Sequence, residues 1–218
     1  MVQNFFDYEK KISYFCLCGI IIHSIMPSKK LYIISGCNGA GKTTASVTIL
    51  PEILDCKEFV NADEIARGLS PFNPESVAIQ AGRLMLERIE YLLDQDESFA
   101  IETTLSTKSY QKLVAKAHDK GFYVQLLYFW LPSPEFAAAR VAQRVKEGGH
   151  NIPNDVIFRR YFAGIKNLFE IYMPIVDYWM IIDNAENPRK IVAEKDESGL
   201  IIYNQLTFKT IKNYGQSR

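Results

Sequence analysis

Short apolar runs alternate along this chain with stretches in which apolar residues return every three or four positions. That alternation predicts strands separated by helices, the arrangement that builds a mainly parallel sheet with helices on both faces. Residues 31–35, Leu-Tyr-Ile-Ile-Ser, read as the first strand, and residues 44–50 as an apolar helix. Between them lies a glycine-rich segment. Residues 58–60 make a short second strand. Residues 74–93 predict a long helix, with Asn73 as N-cap, Pro74 in the first turn, and Ala78, Ala81, Met85, Ile89 and Leu92 on one face. A third strand falls at 99–103, and a helix at 108–120 is stopped by Gly121. Residues 123–130 are almost continuously apolar or aromatic, as in a buried central strand, so Tyr128, Phe129 and Trp130 are read as core. Ser133-Pro134-Glu135 opens a helix that runs to about Glu147, and a second helix covers 153–173. A strand at 178–183 and a hairpin, 190–194 and 200–203 around a turn at 196–199, complete the pattern.

The chain of 218 residues is long enough for one α/β domain with a substantial core, and residues 26–218 are assigned to it. Residues 1–25 stand apart. Their apolar stretch, residues 13–25, is shorter than the ~20 residues that cross a bilayer, and no small-residue cleavage pattern follows it. We read 1–25 as an extension outside the fold, as a start codon assigned too early would create; an extra packed helix or a membrane-leaning anchor are the alternatives. Lys plus Arg and Asp plus Glu both number 25, and the zero net charge argues against a protein living on nucleic acid or on an anionic membrane. The four cysteines, Cys16, Cys18, Cys37 and Cys56, lack zinc-ligand spacing and fit the reducing cytoplasm.

Chemistry enters with Gly36-Cys37-Asn38-Gly39-Ala40-Gly41-Lys42-Thr43, which is Gly, four residues, then Gly-Lys-Thr. Between a strand and a helix this is the phosphate-cradling loop, so the nucleotide-binding set is Gly36, Asn38, Gly39, Ala40, Gly41, Lys42, Thr43 and Thr44. Its backbone amides curl into an anion nest at the positive end of the following helix. Lys42 reaches the β- and γ-phosphates, and the Thr43 hydroxyl holds Mg²⁺, which together call for ATP and Mg²⁺.

In an open parallel sheet ligands lie beyond the carboxyl ends of the strands. Asp63 follows the second strand and Glu102 ends the third. A kinase needs one carboxylate to accept the proton of an attacking hydroxyl, and another group for Mg²⁺ or the substrate. Asp63 suits the first task, although it also reads as N-cap of the helix starting at Glu64; Glu102 and Thr104 suit the second. Arg140 and Arg144 share a helix face, and Arg159 and Arg160 sit on the next helix across Gly148-Gly149-His150. They read as a helical lid over the γ-phosphate, or as surface ion pairs with Asp155 and Glu135. His150 is read as a loop-shaping histidine rather than a base.

In order along the chain, four further segments accompany the loop. They are residues 59–66 (Phe-Val-Asn-Ala-Asp-Glu-Ile-Ala), 102–106 (Glu-Thr-Thr-Leu-Ser), 130–135 (Trp-Leu-Pro-Ser-Pro-Glu), and 144–153 running into Arg159-Arg160-Tyr161. Over about residues 29–184 this set resembles the zeta toxin kinase family, in its shorter bacterial branch. The resemblance implies a three-layer P-loop NTPase fold of kinase type. It also implies transfer of the γ-phosphate of ATP to a hydroxyl of a small metabolite, a nucleotide sugar such as UDP-N-acetylglucosamine in the better-known members, with toxicity and a protein antitoxin as partner. By the same resemblance Lys42 binds phosphate, Asp63 is the base, Glu102 and Thr104 contact the acceptor, and Arg144 and Arg160, with Arg159 close behind, stabilise the transferring group. An ATPase acting as a conformational switch is a competing reading, but the Leu-Ser-Gly-Gly-Gln signature of transporter ATPases and the Asn-Lys-x-Asp guanine reader are both absent from the chain. A nucleic-acid end kinase would want a basic strand-binding groove, which the neutral charge disfavours.

Overall fold

A computed structural model describes residues 29–149 and 151–216 of the chain. The expectations for residues 1–25 and for His150 fall outside them. Seven strands form one sheet in the order β2-β3-β1-β4-β5-β6-β7. Strands β1 (Lys30–Gly36), β2 (Glu58–Val60), β3 (Phe99–Thr103), β4 (Tyr123–Trp130) and β5 (Tyr178–Asp183) run parallel, and β6 (Lys190–Asp196) and β7 (Gly199–Ile202) add an antiparallel hairpin at one edge. With helices on both faces this is the three-layer α/β fold that the sequence predicts.

The parallel strands are β-branched and aromatic because both of their faces are covered. Leu31, Ile33, Phe99, Ile101, Val124, Leu126 and Phe129 are fully buried, and Tyr128 and Trp130 join them in the core as expected. Since β1 lies between β3 and β4, the chain leaves it towards one side of the sheet and later returns on the other. That reversal opens a crevice at the carboxyl end of β1. The segments after β1, β2, β3, β4 and β5 all emerge on this same edge.

The helices are α1 (Lys42–Glu52), α2 (Ala62–Leu69), α3 (Ala78–Asp94), α4 (Tyr110–Asp119), α5 (Pro134–Lys146), α6 (Asn154–Asn167) and α7 (Gln205–Gln216). Ser133 caps α5 by accepting the Phe136 amide at 3.2 Å, with Pro134 in the first turn. Gly121, at φ 78°, ends α4, and the Phe122 amide closes back on the Ala117 carbonyl at 2.9 Å. Three expectations need correction. The α-helix predicted from Pro74 begins only at Ala78, after a 3₁₀ turn over Pro74–Val77. Both the amide and the hydroxyl of Ser76 bond the Asn73 carbonyl, at 3.2 and 2.7 Å, which tightens this turn to i+3 spacing, and Asn73 caps nothing with its side chain. The helix predicted over 153–173 is α6 followed by a π-helical turn, Leu168–Tyr172. Helix α7 has no counterpart among the expected elements. It packs on α6, with Ile211 fully buried and Tyr214 edge-on to Tyr161.

Candidate active site

The glycine-rich loop leaves β1 at Gly36, whose φ is 141°. A Cβ there would stand 2.2 Å from the Phe129 carbonyl oxygen, so only glycine lets the loop start against β4. Gly41, at φ 77°, turns the chain into α1. The amides of Gly39 and Gly41 donate to no group among the described residues, while the Ala40 amide closes a turn on the Cys37 carbonyl at 3.2 Å. Unpartnered backbone donors beside a helix N-terminus are what a phosphate chain requires, so the loop fits a nucleotide triphosphate.

Lys42 is only 7 % exposed. Its ammonium donates to the Cys37 carbonyl at 3.1 Å and lies 3.6 Å from Glu102 Oε1. The second carboxylate oxygen, Glu102 Oε2, accepts the Thr43 hydroxyl at 2.8 Å. Strand pairing sets this contact: β3 lies beside β1 with Glu102 opposite Ile34, so the carboxylate arrives under the loop. A carboxylate and a hydroxyl side by side, both hard oxygen donors, suit Mg²⁺ bound together with phosphate oxygens. Among the described residues no group of three or more His, Cys, Asp or Glu side chains is placed to hold a metal, so the phosphates would complete its shell. Cys37 lies in the same loop, and burial pushes its thiol up to about 11; it is a packing residue there, not a thiolate.

Asp63 lies in the first turn of α2, at the carboxyl end of β2. The helix cap is not Asp63 but Asn61, whose Oδ1 accepts the Asp63 amide at 2.8 Å. The Asp63 carboxylate is exposed and pairs with no group among the described residues. Thr104, just beyond β3, shares a 2.8 Å hydrogen bond with Ser106. Behind it the segment is held from α6 and the π turn: Asn167 donates to the Leu105 carbonyl and Tyr172 to the Thr107 carbonyl, each at 2.7 Å. Leu105 sits at φ 55°, a left-handed conformation that a branched side chain adopts only when its surroundings hold it there.

The four arginines separate. Arg160 reaches the phosphate loop, donating to Asn38 Oδ1 at 3.4 Å. Arg159 is exposed and pairs with no group among the described residues, so the ion pair with Asp155 is not made. The Arg144 stem lies over Gly149 at the end of α5, whose closing turn brings the Gly149 amide 2.8 Å from the Arg144 carbonyl. Arg140 does not pair with Glu135; it donates to the Ala185 carbonyl at 3.0 Å and lies over the Phe136 ring.

A parallel sheet split at β1, a phosphate loop in the split and a basic helix against that loop define a P-loop kinase acting on small molecules. The comparisons with known proteins give its relatives. The zeta toxin family model matches residues 22–188, and the chain belongs to that family. An uncharacterized protein of Haemophilus influenzae is 33 % identical over 143 residues, which are 62 % of this chain and the whole of that protein. The AvrRxo1-ORF1:ORF2 complex with ATP has a component that superposes with a TM-score of 0.72 at 19 % identity; the match covers 87 % of this chain but only 65 % of that one. A structure of the PezAT chromosomal toxin-antitoxin system of Streptococcus pneumoniae matches with a TM-score of 0.62 at 16 % identity, over 95 % of this chain and 94 % of that one. At these identities the two structures speak for the fold. No helix among the described residues is long and apolar enough to cross a membrane.

Proposed function

We propose that the protein moves the γ-phosphate of ATP to a hydroxyl group of a small metabolite, with Mg²⁺ as cofactor. The observation that carries this reading is the meeting of Lys42, Thr43 and Glu102 under a loop whose Gly39 and Gly41 amides are free to donate. Lys42 follows the negative charge of the β- and γ-phosphates, exchanging its bond to the Cys37 carbonyl for phosphate oxygens. Thr43 and Glu102 would hold Mg²⁺, which would supply positive charge to offset that of the phosphates. Asp63 takes the proton of the acceptor hydroxyl as its oxygen attacks the γ-phosphorus; the bond to the bridging oxygen breaks and ADP leaves. Its carboxylate engages no described neighbour and is open to an incoming hydroxyl. Arg160, already at the loop, and Arg144 balance the charge on the transferring group, and Thr104 and Arg159 bind the acceptor. Glu102, which the family resemblance gives to the acceptor, serves Mg²⁺ instead, since both of its oxygens face Lys42 and Thr43.

The acceptor to assay first is a nucleotide sugar such as UDP-N-acetylglucosamine, the one implied by the family resemblance. Toxicity to the host cell and a protein antitoxin belong to the same reading. They are supported by family membership and by the toxin-antitoxin system to which the pneumococcal protein belongs. Since ATP is the phosphate donor, the reaction belongs in the cytoplasm. The test is incubation with γ-labelled ATP, Mg²⁺ and either UDP-N-acetylglucosamine or a metabolite extract. A labelled acceptor with the intact protein and none with Lys42→Ala is expected. Release of inorganic phosphate with no labelled product from any extract would contradict transfer and favour the switch ATPase.

A further inference from the structure

The segment joining β5 to β6 has no part in the chemistry above, yet it grips the phosphate loop. Asn184 follows β5 and is 8 % exposed. Its backbone amide continues the sheet by donating to the Trp130 carbonyl at 3.0 Å, which fixes where its side chain starts. The Asn184 Nδ2 then donates to the Ala40 carbonyl at 2.6 Å, and its Oδ1 accepts Arg189 Nε at 2.9 Å. These partners leave no choice of amide orientation: a carbonyl can only accept and a guanidinium can only donate. Arg189 is itself steadied over the Phe129 ring, 5.8 Å from its centre. Arg140, from α5, bonds the next carbonyl, that of Ala185.

The consequence lies in the peptide unit that joins Ala40 to Gly41. In a trans peptide the C=O and N–H point in opposite directions. Holding the Ala40 oxygen on the Asn184 side turns the Gly41 N–H away from it, and that N–H has no partner among the described residues. A Cβ on Gly41 would meet Asn184 Nδ2 at 2.7 Å, so the glycine also makes room for the clamp. We propose that Asn184, oriented by Arg189, is a positioning residue that fixes the Ala40–Gly41 peptide so that the Gly41 amide faces the phosphates. This rests on the reading of residues 36–43 as the ATP phosphate site.

Titration calorimetry with ATP·Mg²⁺ and with inorganic tripolyphosphate tests it, alongside the melting temperature of each ligand-free variant. If the intact protein fails to bind ATP, the nucleotide reading itself falls. If it binds, Asn184→Leu, similar in size but without either hydrogen bond, is expected to weaken ATP and tripolyphosphate alike, by about tenfold. Arg189→Leu, which keeps Asn184 but frees its amide to turn over, is expected to weaken both by about threefold with little change in melting temperature. Affinities within twofold of the intact protein in both variants would overturn the clamp. So would an intact protein that binds ATP but not tripolyphosphate, or a loss confined to ATP, since the segment would then act on the nucleoside and not on the phosphates. If Asn184→Leu does not fold, Arg189→Leu decides by the same criteria.

Discussion

On the nucleotide side of the crevice the polar side chains are already engaged. Lys42 sits between the Cys37 carbonyl and Glu102, Thr43 donates to Glu102, and Asn38 receives Arg160. On the side proposed for the acceptor the backbone is held just as firmly, by Asn167 and Tyr172 from behind, and Thr104 is bonded to Ser106, but the proposed base is not engaged. Asp63 and Arg159 pair with nothing among the described residues. The contrast separates two tasks. A cradle for ATP is best held in shape before the ligand arrives, so that little beyond the Lys42 bond to the Cys37 carbonyl has to be exchanged on binding. A base must keep its lone pairs open until an acceptor hydroxyl reaches it.

Substitutions on the two sides should therefore differ in kind. Lys42→Ala is expected to have the largest effect, lowering both ATP affinity and phosphoryl transfer, the latter by at least ~10³-fold; calorimetry and the labelled-ATP assay measure the two separately. Arg160→Ala follows, with kcat lower by ~10²–10³-fold and ATP affinity nearly kept, whereas Arg159→Ala should cost less than about tenfold. Equal losses in the two arginine variants would erase the distinction drawn from the Asn38 contact. Asn167→Ala strips the buried Leu105 carbonyl of its donor and is expected to lower stability by ~1–3 kcal/mol in urea unfolding while ATP affinity stays unchanged. The smallest effect concerns Cys37. With its thiol pushed up to about 11 by burial, the thiolate becomes the main form only above that pH, so iodoacetamide at pH 8 should label it slowly in the native protein, and more slowly still with ATP bound. Peptide mapping reads that rate.

Much of the fold was visible in the pattern of the chain, and β5 falls on the expected residues 178–183. So was the loop at 36–43, because its chemistry is confined to consecutive residues. What stayed hidden depends on distant partners. Asn184 acts on Ala40 and Asn167 on Leu105, and a lone asparagine carries no local sign of such a contact. The tie from Arg140 to Ala185 is likewise made by packing, not by helix spacing. Asp63 and Asn61 are both good capping residues, and only the backbone geometry shows that Asn61 takes the cap. Helix α7 is different, since its signal was present: Asn204 accepts the Thr207 amide at 3.0 Å, and Phe208, Ile211 and Tyr214 recur at helical spacing, with Phe208 against Phe169 of the π turn and Tyr214 against Tyr161 of α6.

The most direct test compares the intact protein with Asp63→Asn, which keeps the shape of the side chain and removes its basicity. ATP affinity is read by calorimetry and transfer to the acceptor by labelled ATP. The predicted result is unchanged ATP affinity with transfer reduced ~10²–10⁴-fold. Transfer that survives at the intact protein's rate would contradict the assignment of Asp63 as the base and, with it, the division of the crevice into a prepared nucleotide side and an open acceptor side.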